Sequence, residues 1–257
     1  MSWNPDQYLK FSQPRLRPAI DLLTRISLTR PERIYDLGCG AGNVTAALVQ
    51  RWPDASIIGV DSSADMLAKA AKLLPRVRWR QQSLDQWHAD APADLIYSNA
   101  ALHWLGDHEH LFPRLVDSLN PGGMLAVQMP RNFAAPSHTM IADTVRAGPW
   151  RGRLESLLTA APVSEPSFYY ALLAPLSAEL DIWESEYLQV LEGEDPVKEW
   201  TRGTALIPFL GRLADEERAA FEADYARRLR GAYPRRTDGR TLFPFRRLFI
   251  VLTKAAP

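Results

Sequence analysis

The 257-residue sequence has one cysteine, no net charge and no long apolar run. Because Cys39 has no second cysteine to pair with, an internal disulfide is excluded. The 30 basic and 30 acidic residues cancel, so we expect no overall attraction to nucleic acid or to an anionic membrane. No apolar run approaches the roughly 18 residues of a membrane span, and the N-terminus lacks the pattern of a signal peptide. These absences predict a cytoplasmic protein without a membrane partner.

What is present is ordinary globular composition, with 46% hydrophobic and 23% charged residues. The length suits one domain with an elaborated edge, so we expect a single domain over residues 1–257. The sequence shows neither internal repeats nor a low-complexity linker. No metal site is expected.

Residues 33–45 combine a short strand, a glycine loop and the start of a helix. Gly38, Gly40 and Gly42 allow the backbone to turn tightly and to approach a ligand closely. The helix N-terminus that follows presents free N–H groups and the positive end of its dipole. The loop therefore predicts a ligand with a polar or negatively charged edge. Asp36, two residues before the first glycine, suits a ligand that also carries an ammonium group.

The glycine spacing separates two classes of ligand. Dinucleotide sites use G-x-G-x-x-G, whereas here Asn43 stands at the position of the third glycine. Residues 36–42 instead resemble motif I of the class I S-adenosylmethionine-dependent methyltransferases. The resemblance implies an α/β, Rossmann-like sheet of seven strands with the last strand antiparallel. It also implies S-adenosylmethionine as cofactor and S-adenosylhomocysteine as product. Asn43 and Asp36 argue against a nicotinamide oxidoreductase.

Further strands are predicted at residues 56–60, 77–81, 94–98 and 124–129, separated by turns and helices. Ligands of such sheets bind at the carboxyl ends of the strands, where Asp61 can accept hydrogen bonds from both ribose hydroxyls. With the family resemblance, the expected cofactor contacts are Asp36, Gly38, Gly40, Gly42, Asp61, Ser62, Met66, Ser83, Leu84, Asn99 and Ala100.

Two of these contacts leave alternatives open. In the resembled family an acid after the third strand often binds the adenine amino group, and here that position is Ser83, or Asp85 after a register change. Met66 either lies under the adenine or belongs to the core. Asn99 and Ala100 are expected to face the methionine part of the cofactor.

The second half of the chain exceeds what a minimal fold of this kind needs. Helices are predicted at residues 18–27, 137–146, 196–210 and 216–229, with late strands at 181–190 and 247–253. Segments as long as 131–178 and 192–240 are usually functional or carry their own structure. We expect them to form a helical cap over the substrate pocket.

A closer resemblance, to the trans-aconitate 2-methyltransferases, covers nearly the whole chain. It rests on residues 3–8, 36–40, 59–63, 119–123, 125–130 and 247–251 taken together. It implies methyl transfer to one carboxylate of trans-aconitate, a small tricarboxylic acid. A carboxylate is already ionised at neutral pH, so this reaction needs no general base, and arginine forks suit the remaining carboxylates. The residues expected to position the substrate, none of them firmly catalytic, are Tyr8, His103, Trp104, Arg131 and Arg247.

The runner-up is a small-molecule methyltransferase that acts on a phenol, a quinol or another acid. A phenol needs a general base, and His103 would fill that role. A binding protein that uses the cofactor only as a signal is a third reading. A nucleic-acid methyltransferase is disfavoured by the neutral charge and by residues 99–102, which stand where such enzymes have an Asn-Pro-Pro-Tyr or Asp-Pro-Pro-Tyr motif. The sequence carries no prediction of oligomeric state.

Overall fold

The computed structural model describes the backbone of residues 12–256 and the side chains of residues 16–256. Tyr8 therefore lies outside the described residues. The described chain divides into two compact units, which we treat separately. The sheet unit contains residues 13–130, 162–185 and 247–256, and the second unit contains residues 131–161 and 186–246.

Strands and helices alternate through the first half of the chain. The strands are β1 (Arg33–Leu37), β2 (Ser56–Asp61), β3 (Arg78–Gln81), β4 (Ala93–Asn99), β5 (Leu119–Pro130), β6 (Ser177–Leu191) and β7 (Thr241–Lys254). The helices are α1 (Ser12–Thr24), α2 (Asn43–Arg51), α3 (Ala64–Leu73), α4 (His108–Asp117), α5 (Pro136–Ala147), α6 (Arg151–Leu154), α7 (Pro166–Leu173), α8 (Pro196–Arg202), α9 (Ile207–Leu210) and α10 (Asp215–Ala232). Short 3₁₀ helices cover Leu102–Trp104, Glu155–Leu157 and Ala174–Leu176.

The strands form one seven-stranded sheet in the order β3-β2-β1-β4-β5-β7-β6. Strands β1 to β5 run parallel to one another, and β7 pairs antiparallel with β5 from Met124↔Thr253 to Pro130↔Arg247. This confirms the predicted sheet with its antiparallel last strand. The strand order reverses between β1 and β4, and the carboxyl ends at such a switch point form the ligand crevice of doubly wound sheets.

Each unit has its own apolar interior. In the sheet unit the central strands are buried almost throughout, as expected where helices cover both faces of a parallel sheet. Trp87 is fully buried with its ring 5.1 Å from that of Tyr35 in an edge-on contact, so it belongs to this core. The second unit packs an aromatic cluster of its own, which includes Trp150, Trp200 and Phe221. None of the helices in the described chain is long and apolar enough to cross a membrane.

Several predicted boundaries are wrong. Helix α1 begins at Ser12, so Pro18 lies inside it rather than in its first turn. The single helix predicted over 196–210 is interrupted, because α8 ends at Arg202 with Gly203 as its C-cap. Strand β5 begins at Leu119, five residues before the predicted start at 124, and the extra residues between Leu119 and Met124 bulge out of the pairing with β4. Helix α7 was not predicted, and β7 begins six residues before the predicted start at 247.

Candidate functional site

The glycine loop between β1 and α2 takes a backbone shape that favours glycine. Gly38 and Gly40 have φ values of 75° and 54°. A Cβ atom on Gly38 would lie 2.1 Å from the Cβ of Ala101, so only glycine allows the segment after β4 to pack here. A Cβ on Gly40 would meet nothing within 4 Å. Gly38 thus serves packing inside the protein, while Gly40 borders open space that a ligand can enter.

Asp61, the last residue of β2, holds this loop. Its Oδ2 atom accepts a hydrogen bond from the Gly40 N–H at 2.9 Å, and its Oδ1 atom accepts one from the Ser63 N–H at 2.9 Å. The Gly38 N–H donates to the carbonyl of Val60 at 2.8 Å. Because each carboxylate oxygen has a second lone pair, Asp61 keeps acceptor capacity for a pair of hydroxyl groups. The site is therefore suited to a ribose.

Asp36 lies in the buried part of β1, with 2% of its surface exposed. Burial raises the pKa of Asp36 to about 7, and the nearby charge of Asp61 adds to the shift. The Thr45 hydroxyl donates a hydrogen bond to Asp36 Oδ2 at 2.6 Å, and this bond lowers the pKa and so opposes the shift. A bound cation would favour the ionised form. The Asp36 carboxylate is thus poised to change protonation when a ligand with an ammonium group binds.

The residues expected around an adenine lie on and after β2 and β3. Met66 is buried in the first turn of α3, where its N–H donates to the capping hydroxyl of Ser63 at 3.3 Å. Ser83 and Asp85, the two alternatives for the adenine contact, bond to each other: the Ser83 hydroxyl is the main cause that holds the pKa of Asp85 below its ordinary value. Both side chains are exposed, while Leu84 is half-buried and Ser62 exposed.

The carboxyl end of β4 leads into the 3₁₀ helix Leu102–Trp104. Ala100 has a φ of 53°, an uncommon conformation for a residue with a Cβ atom, and its N–H donates to the carbonyl of Gln128 at 2.9 Å. Strained positions of this kind cluster at functional sites. The ring of His103, which is buried, lies 4.6 Å from the ring of Trp104, which is 60% exposed.

A buried histidine that the sequence reasoning missed supports this 3₁₀ helix. His108 Nε2 lies 3.1 Å from the carbonyl oxygen of Leu102, and its Nδ1 lies 2.7 Å from the hydroxyl of Tyr169. Since a carbonyl only accepts, Nε2 carries the proton and Nδ1 accepts from Tyr169. Burial lowers the pKa of His108, which favours this neutral form. Tyr169 is 61 residues away in the chain, so no spacing rule connects the pair.

A row of polar groups crosses the sheet at the ends of β4 and β5. Asn99 is the register partner of Gln128, and Arg247 donates from Nη1 to Gln128 Oε1 at 3.3 Å. Arg247 and Gln128 are both buried. Within the described residues, the buried Oδ1 atom of Asn99 and Nε2 atom of Gln128 have no hydrogen-bond partner. An unpaired buried polar atom costs about 1–3 kcal/mol. A polar ligand that supplies the missing partners fits this place, and Gln128 is a residue that the sequence reasoning missed.

In the second unit, Arg131 and Arg246 are joined through their backbones. The Arg131 N–H donates to the carbonyl of Arg246 at 3.0 Å, and the Arg246 N–H donates to Asn132 Oδ1 at 3.2 Å. Both arginines line a cavity of about 270 Å³ together with Glu186 and Tyr233. Arg246 and Arg247 are thus consecutive in sequence but separate in surroundings. Among the residues the structure describes, no cluster of histidine, cysteine and carboxylate side chains is arranged to bind a metal.

The sheet order, with β7 inserted antiparallel, and the glycine loop held by Asp61 define a class I methyltransferase. A family model described as a methyltransferase domain matches residues 34–123. The chain belongs to the trans-aconitate 2-methyltransferase family. It is 48% identical to the trans-aconitate 2-methyltransferase of Azoarcus sp. (strain BH72), over 98% of this chain and 99% of that one. Its identity to the enzyme of the same name from Yersinia pseudotuberculosis serotype O:1b is 45%, over 97% of each chain.

Solved structures share the fold at low sequence identity. The YcgJ protein from Bacillus subtilis has a TM-score of 0.58 and 18% identity, over 94% of this chain and all of that chain. The phosphoethanolamine N-methyltransferase 2 of Haemonchus contortus, solved with S-adenosyl-L-methionine, has a TM-score of 0.54 and 15% identity, over 93% of this chain and 53% of that chain. These similarities establish the class of fold.

Proposed function

We propose that the protein transfers the methyl group of S-adenosylmethionine to one carboxylate of trans-aconitate, giving a monomethyl ester and S-adenosylhomocysteine. The observation that carries the proposal is the similarity to trans-aconitate 2-methyltransferases at 45% and 48% identity over nearly the full chain. The sheet edge described above supports it, because its free hydrogen-bonding groups match a ligand with hydroxyl, ammonium and carboxylate parts.

When bound, the cofactor supplies an electrophilic methyl carbon. The Asp61 carboxylate, held by two backbone N–H groups, would accept the ribose hydroxyls. The ammonium group would pair with the buried carboxylate of Asp36 and favour its ionised form. The unpartnered Oδ1 atom of Asn99 offers a further acceptor beside Ala100.

The glycine loop and the segments after β2 and β3 would hold the remainder of the cofactor. Gly40 leaves open space, and Gly38 and Gly42 shape the turn that creates it. For the adenine we propose Met66 and Leu84 as apolar contacts. We propose the Ser83–Asp85 pair as the polar contact, with Ser62 at the entrance.

The nucleophile of this reaction needs no activation by the protein. A carboxylate with an ordinary pKa near 4 is ionised at neutral pH, so the protein has to orient it rather than deprotonate it. Reacting atoms must be held about 3–3.5 Å apart and in line. We assign His103 and Trp104 to this orienting role, with His103 as a hydrogen-bonding group and not as a base.

The remaining carboxylates need cationic partners. Arg131 and Arg247 are our candidates, because a planar guanidinium can bind a carboxylate through two parallel hydrogen bonds. Tyr8 is a further candidate contact. We propose that residues 131–178 and 192–240 cap the pocket, that residues 1–257 work as one methyltransferase domain, and that the protein acts in the cytoplasm without a nucleic-acid partner.

The test is a transfer assay on purified protein. S-adenosylmethionine with a labelled methyl group is mixed with trans-aconitate or with other di- and tricarboxylic acids, and with a phenol as a control. We expect label in trans-aconitate that mild alkali releases as methanol, because an ester hydrolyses where an aryl ether does not. Preferential labelling of the phenol, or alkali-stable label, would refute the proposal.

A further inference from the structure

The side-chain amide of Gln128, near the carboxyl end of β5, is oriented by Arg247. Arg247 Nη1 donates to Gln128 Oε1 at 3.3 Å, and the two side chains are buried, with 0% of Gln128 and 4% of Arg247 exposed. A guanidinium group has donors only, so the end of the amide that faces it must be the oxygen. The Nε2 end of the amide is therefore left for a different partner.

This Nε2 end has no acceptor. Within the described residues, no hydrogen-bond partner lies near the buried Nε2 atom of Gln128. Buried donors in folded proteins almost always have a partner, so an exception needs an explanation. Gln128 is the register partner of Asn99, and Asn99 and Ala100 are half-buried, so the crevice borders solvent beside this amide. A ligand that enters here can supply the acceptor.

The charge next to the amide indicates which kind of acceptor fits. The guanidinium group of Arg247 lies at the oxygen end of the amide, and its positive charge favours an anion over a cation as the ligand of Nε2. Among the groups of the two ligands in the proposed function, only carboxylates are anionic at neutral pH. The cofactor carries one carboxylate and the substrate carries several.

The position of Gln128 in the sheet favours the carboxylate of the substrate. The proposed function pairs the cofactor's ammonium group with Asp36 on β1, and the cofactor's carboxylate is attached to the same carbon atom. Because β4 lies between β1 and β5, Gln128 is two strands from Asp36, roughly 10 Å at the usual strand spacing. On the intervening strand, the buried acceptor atom Asn99 Oδ1 suits an ammonium group and not a carboxylate.

We propose that Gln128 is a specificity-determining residue whose Nε2 atom donates a hydrogen bond to a carboxylate of the substrate, with Arg247 as the residue that positions it. The inference rests on the proposed function and makes it more specific. It places recognition of the substrate within the sheet unit, at the carboxyl ends of β4 and β5. It also gives Arg247 a role that acts through Gln128.

The test measures binding to the full-length protein in two steps. Titration calorimetry first gives the affinity for S-adenosylhomocysteine, and then the affinity of the saturated complex for trans-aconitate. Gln128→Met, which has a similar shape but no donor, should bind trans-aconitate about 10- to 100-fold more weakly. Gln128→Glu should lose at least as much, since it puts a negative charge where the donor was. In both variants the affinity for S-adenosylhomocysteine should stay within about threefold of the wild type.

Two comparisons separate contact with the substrate from a defect in folding. Gln128→Glu still accepts a hydrogen bond from Arg247, so it should melt at a higher temperature than Gln128→Met and yet bind trans-aconitate no better. Asn120→Leu is the matched control: it removes another amide of β5, whose Nδ2 donates to Asp94 Oδ1 at 2.7 Å. This variant should lose stability but keep its affinity for trans-aconitate within about twofold.

The wild type offers a measurement that needs no substitution. In the complex with S-adenosylhomocysteine, the NMR signals of the Gln128 side-chain amide should shift when trans-aconitate is added, while those of Asn120 should not.

Three results would each overturn the inference: normal affinity for trans-aconitate in both Gln128 variants, an equal loss in Asn120→Leu, or a loss of affinity for S-adenosylhomocysteine as large as that for trans-aconitate. The last result would assign the amide to the cofactor instead. If the wild type methylates trans-aconitate in the transfer assay, any of these results leaves the proposed function standing and removes only the role of Gln128. If it does not, the proposed function itself fails.

Discussion

The backbone N–H of Gly40 donates a hydrogen bond to Asp61 Oδ2 at 2.9 Å. This bond joins the glycine loop after β1 to the end of β2, so the two parts of the candidate cofactor site are held as one structure. The second oxygen of Asp61 is fixed in the same way by the Ser63 N–H at 2.9 Å. The carboxylate therefore orders the loop and also offers its remaining lone pairs to a ligand.

Asp61→Ala should weaken S-adenosylmethionine binding by about 1–3 kcal/mol, because two ribose hydroxyls and the loop lose a charged acceptor. Calorimetry on the folded variant measures the effect. Asp61→Asn is the control, since it keeps one acceptor oxygen and should lose less. Unchanged affinity in Asp61→Ala would remove this residue from the site. Binding of NADH to the wild type at micromolar concentration would instead favour the oxidoreductase reading.

Gly38→Ala should destabilise the protein by about 2–4 kcal/mol, because the new Cβ atom overlaps the Cβ of Ala101 and because L-residues disfavour the φ of 75°. Urea unfolding measures the change. The double variant Gly38→Ala/Ala101→Gly removes the overlap and should recover part of the loss. If the double variant were no more stable than the single one, contact with Ala101 would not be the reason for glycine at this position.

Stability should depend on pH through Asp36, whose pKa is raised from 3.8 to about 7 in the folded protein. In this window the folded state binds the proton more tightly than the unfolded state, so the contribution of Asp36 to stability falls as pH rises from 3.8 to 7. Asp36→Asn should remove this trend. The measurement is the free energy of unfolding of both proteins at about pH 5 and about pH 8. If the wild type and Asp36→Asn differed in unfolding free energy by the same amount at both pH values, Asp36 would titrate normally.

The pH dependence of cofactor affinity gives an independent measure of the protonation of Asp36. If the ammonium group pairs with Asp36, binding below pH 7 should release a proton, and affinity should rise as pH approaches the pKa of about 7. Calorimetry in two buffers with different ionisation enthalpies counts the released protons. Asp36→Asn should release none at this site and should bind more weakly.

Arg247→Ala should raise KM for a tricarboxylate more than it changes cofactor affinity, because this buried guanidinium lies beside Gln128 at the carboxyl ends of the strands. Arg131→Ala should behave in the same way. Steady-state kinetics together with cofactor titration separate the two effects. A thermal melt of each variant is needed, since removing a buried arginine also costs stability. If both variants keep the wild-type KM, the tricarboxylate assignment is wrong.

His103 distinguishes carboxyl methylation from base-dependent methylation. His103→Gln keeps a donor and an acceptor but does not titrate near neutral pH. With a carboxylate substrate, kcat should stay within roughly tenfold of the wild type, since only orientation is disturbed. A general base would contribute about 10²–10⁴-fold. A wild-type log kcat that rises with unit slope between about pH 6 and 8 and flattens in the variant would favour a phenol or quinol as substrate.

The sequence by itself determined the class of fold and the centre of the candidate cofactor site. Alternating strand and helix patterns predicted β1 to β5, and the spacing of Gly38, Gly40 and Gly42 predicted a tight loop. These features are local, because backbone conformation and amphipathic periodicity depend on residues close together in the chain. Asp61 was predicted as a cofactor contact because it stands at the carboxyl end of a strand. Helix ends were less well predicted: α1 begins at Ser12 and contains Pro18, which the sequence pattern had placed at its start.

Only the tertiary structure decided which side chains lie close together. Arg246 and Arg247 are adjacent in sequence, yet one lines the cavity with Arg131 and the other is buried beside Gln128, because successive residues of a strand point to opposite faces. The contact of His108 with Tyr169 spans 61 residues. The raised pKa of Asp36 arises from burial, which depends on the packing of the whole sheet unit and not on the neighbours of Asp36 in the chain.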